Sequence, residues 1–178
     1  MTAGTEAPAG DQARVSVVVR VPPDFAFRMF TEQIDQWWRR GLQYRVAGNN
    51  RGFIHLEPHV GGRLFESFEV GNETKIFETG KVTAWEPSSR LAFEWRAANF
   101  APTENTLVEV TFEACASGTL VVVTHRGWSE VRSDHPARHG QSVPVFLRMM
   151  GMWWGDLMIA LRQYAAHKMG AGGGPDPS

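Results

Sequence analysis

Residues 142–169, SVPVFLRMMGMWWGDLMIALRQYAAHKM, keep helical spacing for roughly 25 residues, about 37 Å at the α-helical rise. Ser142 suits an N-cap and Pro144 suits the first turn. Phe146, Met149, Met150, Trp153, Leu157, Leu161 and Tyr164 recur on one stripe, and Trp154 and Met158 run beside it. The apolar face is therefore broad and has to be covered. Gly151 and Gly155 sit one turn apart, each costing about 1 kcal/mol against alanine. Close backbone approach, or room for the neighbouring tryptophans, is the expected reason for them.

What precedes this helix is largely strand. RVSVVVRV (14–21) alternates, with Val15, Val17, Val19 and Val21 on one face. Pro22 and Pro23 stop it, and PPDFAFRMFT and EQIDQWW read as two short helices, the first burying Phe27 and Phe30. Strand patterns follow at 53–58, 61–70, 80–87, 90–97, 106–115 and 119–128, separated by turn residues such as Gly71-Asn72 and the ASG at 116–118. In 61–70, Leu64, Glu66 and Phe68 share a face and Arg63 takes the other; in 90–97, Leu91, Phe93 and Trp95 point inward. The face of 119–128 stays open between Thr119, Val121, Val123, His125 and Leu120, Val122, Thr124. Short turns favour antiparallel pairing. The predicted fold class is α+β: a curved antiparallel sheet wrapped around one long C-terminal helix, with two short helices after the first strand. The expected domain spans 14–168, between disordered tails at 1–13 and 169–178.

Composition narrows the function. The 178 residues carry 18 basic and 19 acidic side chains, a formal charge of -1. Such a balance gives no long-range attraction to nucleic acid, and none is expected as a partner. Cys115 is the one cysteine, so no intrachain disulfide is available. The opening MTAGTEAPAGDQA has neither a basic n-region nor an apolar h-region, and no apolar run reaches the length of a membrane span. No membrane span and a cytoplasmic location are therefore expected. The histidine pairs His55/His59 and His135/His139 are interrupted by prolines, and there is no HExxH, GxSxG, Walker loop or dinucleotide fingerprint. No metal and no cofactor are expected.

The strings VPPDFAFRMFT…IDQWW (21–38), EPHVGGRLFE (57–66), GKVTAWEPSSRLAFEW (80–95), TLVEVTFEACASGTLVVVTHRGW (106–128) and the final helix resemble, in order and spacing, the SRPBCC superfamily of START and birch-pollen-allergen-like proteins. Within it the chain looks like the activator-of-heat-shock-protein-ninety-ATPase-like (AHSA-type) branch. Two departures stand out: EPSSRL, where the family usually has a double proline, and SEVRSDHPARHGQSVPVF, expected to be a lid or variable loop. The resemblance implies the helix-grip fold and favours the His125 face of its strand as the inner one.

Three readings of function stay open. In the first, a cavity between sheet and final helix binds a small hydrophobic or aromatic molecule, lined by Trp38, Leu64, Glu66, Trp95, His125, Met149, Trp153 and Trp154. In the second, which the superfamily's polyketide aromatase/cyclases suggest, Glu66 and His125 form an acid–base pair in that cavity. Burial raises a carboxyl pKa and lowers an imidazole pKa, while mutual pairing opposes both. The third is a protein partner, or a second copy of the chain, bound in the manner of a co-chaperone. Trp37-Trp38 and Trp153-Trp154 bear on the choice. Neighbours on a helix point about 100° apart, so each doublet is expected to give one ring to packing and one to a ligand.

Overall fold

The structure is a computed structural model that describes residues 11–96 and 100–171 (Ala137 by its backbone alone). Most of both expected tails therefore lies outside the described residues. Strand β1 covers Gln12–Val19, and helices α1 (Pro23–Thr31) and α2 (Ile34–Trp37) follow. Strands β2 (Gly52–Leu56), β3 (Arg63–Val70), β4 (Glu73–Glu86), β5 (Arg90–Trp95), β6 (Thr106–Cys115) and β7 (Gly118–Arg126) lead to the helix α3 (Val143–Ala171). The sheet order is β1-β7-β6-β5-β4-β3-β2, antiparallel at every pairing. Each step from β2 to β7 is a meander between neighbours. The single crossover, from β1 to β2, spans the whole sheet, and α1 and α2 carry it.

Two boundaries shift from expectation. β1 starts at Gln12 because Asp11 is already anchored: its carboxylate accepts hydrogen bonds from Ser129 N and Oγ, at 2.8 and 2.6 Å. β4 begins at Glu73 rather than near residue 80. Its first half pairs with β3 and its second with β5, and the register slips beside Leu64 and again between Val82 and Ala84. Those irregularities bend a 14-residue strand, and the bend curls the sheet. Polar residues such as Glu73, Thr74 and Lys75 hid the first half from a hydrophobic-pattern reading.

Inside the curl, α1 packs Phe27 against Phe112 and Trp85, with ring centroids 5.2 Å apart in each case, and Phe30 lies 4.9 Å from Trp37. On α3 the buried stripe is Trp154, Leu157, Met158, Leu161 and Ala165. Val121, Val123 and His125 are fully buried, so the inner face of β7 is the one the family resemblance favoured. A second, smaller core of Ala13, Trp128, Val131, Phe146 and Leu147 sits beside the first.

The segment 129–146, expected to be a lid or variable loop, is ordered and lies beside Trp128. Two 3-10 turns (Trp128–Glu130 and Pro136–Arg138) bury Trp128, Val131, His135 and Arg138, and Arg138 donates to the Val131 carbonyl at 3.1 Å. Gly151 and Gly155 also differ from expectation. A Cβ built at either meets nothing within 4 Å, so neither glycine serves close packing. At Gly80 a Cβ would stand 1.7 Å from the Glu94 carbonyl oxygen, where the bulged strand crosses β5.

Opposite stability effects follow for two glycine-to-alanine changes. Gly151→Ala removes a helix-interior glycine into open space and should stabilise the protein by about 0.5–1 kcal/mol. Gly80→Ala collides with backbone that cannot give way and should destabilise it by about 3 kcal/mol or more. Urea-unfolding midpoints of the two variants check both signs.

Candidate functional site

The site begins with the loop between α2 and β2. Tryptophans 37 and 38 are both 3 % exposed, so the first doublet is wholly buried rather than split between core and ligand. Trp37 Nε1 donates to the Met29 carbonyl at 3.0 Å, and Trp38 Nε1 donates to the Tyr44 carbonyl at 3.1 Å. From the other doublet, Trp153 Nε1 reaches the Gln43 carbonyl at 2.8 Å. Arg45 turns back into the protein. Its guanidinium donates to Asp35 Oδ1 at 2.6 Å and to the carbonyls of Asp35, Trp38 and Arg39 at 3.1, 2.7 and 3.1 Å. The same Asp35 oxygen accepts the Ile54 N–H of edge strand β2 at 2.9 Å.

Glu66 belongs to this loop as well. Its two carboxylate oxygens accept the backbone N–H groups of Val46 and Ala47, at 2.9 and 3.0 Å. His125 is occupied elsewhere. Trp154 Nε1–H donates to its Nδ1 at 3.1 Å, which leaves the ring proton on Nε2. That proton points to Thr106 Oγ1 at 2.7 Å, and Thr106 in turn donates to the Trp95 carbonyl at 3.0 Å. The imidazole is fully buried, and burial holds its pKa down to about 3. It is neutral, with both nitrogens used. The hydrogen bonds of Glu66 and His125 do not join them, so the expected acid–base pair is not assembled in this geometry.

The interior between sheet and helix is nearly full. Stacked and edge-on indoles of Trp38, Trp95, Trp153 and Trp154 occupy it, with centroids 5.1–6.3 Å apart. Beside Trp38, Leu64, Glu66 and Trp95 only about 20 Å³ remains, little more than one water. A larger, mostly apolar space opens at the mouth of the grip; another, of about 590 Å³, lies along β1 and the end of α3 beside Arg20 and Arg162. The cavity at the mouth, of about 520 Å³, is bounded by the first half of α3, the 41–47 loop and the 128–140 segment. Trp95, Trp128, Phe146, Met149, Met150, Met152, Trp153 and Leu42 make its apolar wall, and Gln43, His139 and Asp156 its polar points. Asp156 is fixed at one oxygen by the Tyr44 hydroxyl at 2.9 Å; burial first, and then this carboxylate, push the Tyr44 pKa up.

Of the eight expected lining residues, Trp95, Met149 and Trp153 face this mouth. Trp38 and Leu64 border the small interior void; Glu66 borders that void and a cavity of about 200 Å³ that shares Leu42, Gln43, Trp95 and Trp153 with the mouth; Trp154 and His125 are sealed in the core. Leu42, Gln43, Phe146, Met152 and Asp156 were not singled out for the wall. Met152 and Asp156 lie one helical turn from Met149 and Trp153, a signal that was legible; the position of the 41–47 loop was not. Among the described residues, no group of three or more His, Cys, Asp or Glu side chains could hold a metal, and no helix is long and apolar enough to cross a membrane.

A curled antiparallel sheet closed on one long C-terminal helix, with an aromatic mouth at one end, is the helix-grip architecture. The chain belongs to the family described as Activator of Hsp90 ATPase homolog 1-like protein (AHSA1), whose model matches residues 20–150. Solved structures share the fold. The protein ChR145 from Cytophaga hutchinsonii aligns over 89 % of this chain and 96 % of its own at 13 % identity, TM-score 0.62. An Aha1 solved as a dimer, from Colwellia psychrerythraea, aligns over 85 % and 92 % at 16 % identity, TM-score 0.55. DynU16, encoded in the dynemicin biosynthetic locus, aligns over 86 % of this chain but 46 % of its own at 19 % identity, TM-score 0.56. No curated protein matches the chain significantly.

Two stability measurements test the buried polar groups. The folded imidazole of His125 resists protonation down to a pH of about 3, whereas the unfolded one takes a proton near 6.5. Its contribution is therefore intact above the unfolded value and is lost as pH falls, at about 1.4 kcal/mol per pH unit. Unfolding free energies measured between neutral pH and pH ~5, above most carboxylate titration, should fall with a slope that steepens toward this value as the unfolded imidazole protonates, and His125→Asn should flatten it. Asp35→Ala strands the buried Arg45 guanidinium and should cost about 3–5 kcal/mol, read from the same urea curves.

Proposed function

We propose that this protein binds a small, largely apolar molecule with an aromatic body in the mouth of the grip. The observation that carries this is the cavity of about 520 Å³, a size suited to a small ligand, walled by three indoles, a phenyl ring and three methionines. Aromatic walls supply contact area at little entropic cost, and unbranched thioethers adapt to ligand shape. The site is also preformed. The 41–47 loop is held by Arg45, Glu66 and two indole N–H groups, so binding need not order it. The filled interior argues that the ligand sits at the mouth, not deep between sheet and helix. An acid–base role for Glu66 and His125 draws no support from their hydrogen bonding.

Filling the mouth tests the reading. Met149 lies in the wall and is 38 % exposed, so Met149→Trp narrows the cavity without entering the core. Titration of the wild type with 1-naphthalenemethanol should quench tryptophan fluorescence saturably. Met149→Trp should weaken that binding about tenfold or more, close to 1.4 kcal/mol, with an unchanged unfolding midpoint. Linear, unsaturable quenching of the wild type would remove the proposal.

A further inference from the structure

The wall of the mouth is asymmetric in charge. It contains one carboxylate, Asp156, and no lysine or arginine; His139 is its only other titratable side chain. One Asp156 oxygen accepts the Tyr44 hydroxyl at 2.9 Å. Among the described residues no basic side chain lies within ion-pair distance of that carboxylate. Arg39 donates its Nε–H to the Asp156 backbone carbonyl at 3.0 Å, and its guanidinium stands 6.0 Å from the Tyr44 ring centroid. A carboxylate offers about four acceptor positions, and the tyrosine fills one.

We infer that the ligand of this mouth carries a cationic amine as well as an aromatic body, with the ammonium directed to the unengaged face of the Asp156 carboxylate. The inference rests on the binding reading above and names the ligand class for that site. Its logic is double. A neutral ligand seated in the mouth strips water from the carboxylate and returns nothing, which costs affinity. An ammonium returns a charge-assisted hydrogen bond and gains attraction from the indole faces of the wall. An anionic ligand meets both the carboxylate and the negative ring faces. Selection thus works by penalty as much as by attraction.

The test is a matched trio at neutral pH, read by calorimetry and tryptophan quenching: 1-naphthylmethylamine, 1-naphthalenemethanol and 1-naphthoate. The amine should bind at least about tenfold tighter than the alcohol, and the carboxylate weaker than both. Added salt should weaken the amine alone. Asp156→Asn keeps an acceptor for Tyr44 and should bring the amine to within about threefold of the alcohol, by weakening the amine and relieving the alcohol of the cost of desolvating a carboxylate. If the wild type binds alcohol and amine equally, the cavity reading stands and the amine inference falls. If Asp156→Asn retains the full amine preference, the charge is read elsewhere and the inference likewise falls. If none of the three binds, both fall together.

Discussion

One buried cation organises the mouth of this grip. The Arg45 side chain is 2 % exposed, yet it donates four hydrogen bonds, to the Asp35 carboxylate and the carbonyls of Asp35, Trp38 and Arg39. A guanidinium taken out of water is costly unless its donors are met in fixed geometry, and the planar fork suits that demand. Because those carbonyls belong to the end of α2 and the residues after it, Arg45 reels in the chain around Trp37 and Trp38. Asp35, holding Arg45 and the edge N–H of Ile54 together, ties the same turn to β2. Glu66 then reaches out from β3 to take the next two backbone N–H groups. A loop with little regular structure is thereby fixed from both sides.

The tryptophans gain their meaning from that loop. Each of the four doublet indoles donates to one acceptor: Met29, Tyr44 and Gln43 carbonyls, and His125 Nδ1. An indole buries a large apolar area but carries one donor that must be answered. Here the answers fall on backbone the fold needs to place, so filling the grip and shaping its mouth are the same act. His125 shows the principle most clearly. A neutral imidazole can accept from Trp154 and donate to Thr106 at once, joining α3, β7 and β6 in the dry interior. A protonated ring could not accept from the indole, and burial forbids the charge.

Much of this was legible in the chain. Alternation placed six of the seven strands within a few residues, and the inward parity of Leu64, Glu66, Trp95 and His125 agrees with the structure. Parity, however, says only that a side chain points inward; it does not say whether it meets space or partners. Glu66 and His125 looked like a catalytic pair because the sequence places two polar groups on the inner face. The residues that satisfy them, the 46–47 backbone and Trp154, come from a loop and a helix whose docking no local pattern encodes. The first half of β4 was missed for a related reason. Its charged residues face water on both sides, and a strand held only by ladder hydrogen bonds leaves no hydrophobic period.

The same distinction explains why the open space lies at the end of the grip. The first stretch of α3 presents Phe146 and Met150 to the smaller core around Trp128, Met150 and Trp153 to the edge of the main core, and all of these with Met149 to the open mouth. Further along, Trp154, Leu157, Met158 and Leu161 press into the sheet and are fully buried. One helix therefore serves two purposes along its length: a packed C-terminal portion that provides stability, and an N-terminal portion that leaves one side open between the 41–47 loop and the 128–140 segment. Those two braces are anchored by polar contacts: Arg45 and Glu66 for one, Asp11 to Ser129 for the other. The size and shape of the mouth are thus set largely by buried polar contacts, with Trp153 of the wall adding its hydrogen bond to Gln43. That leaves the exposed wall positions Leu42, Met149 and Met152 free to change what the mouth accepts without disturbing the core.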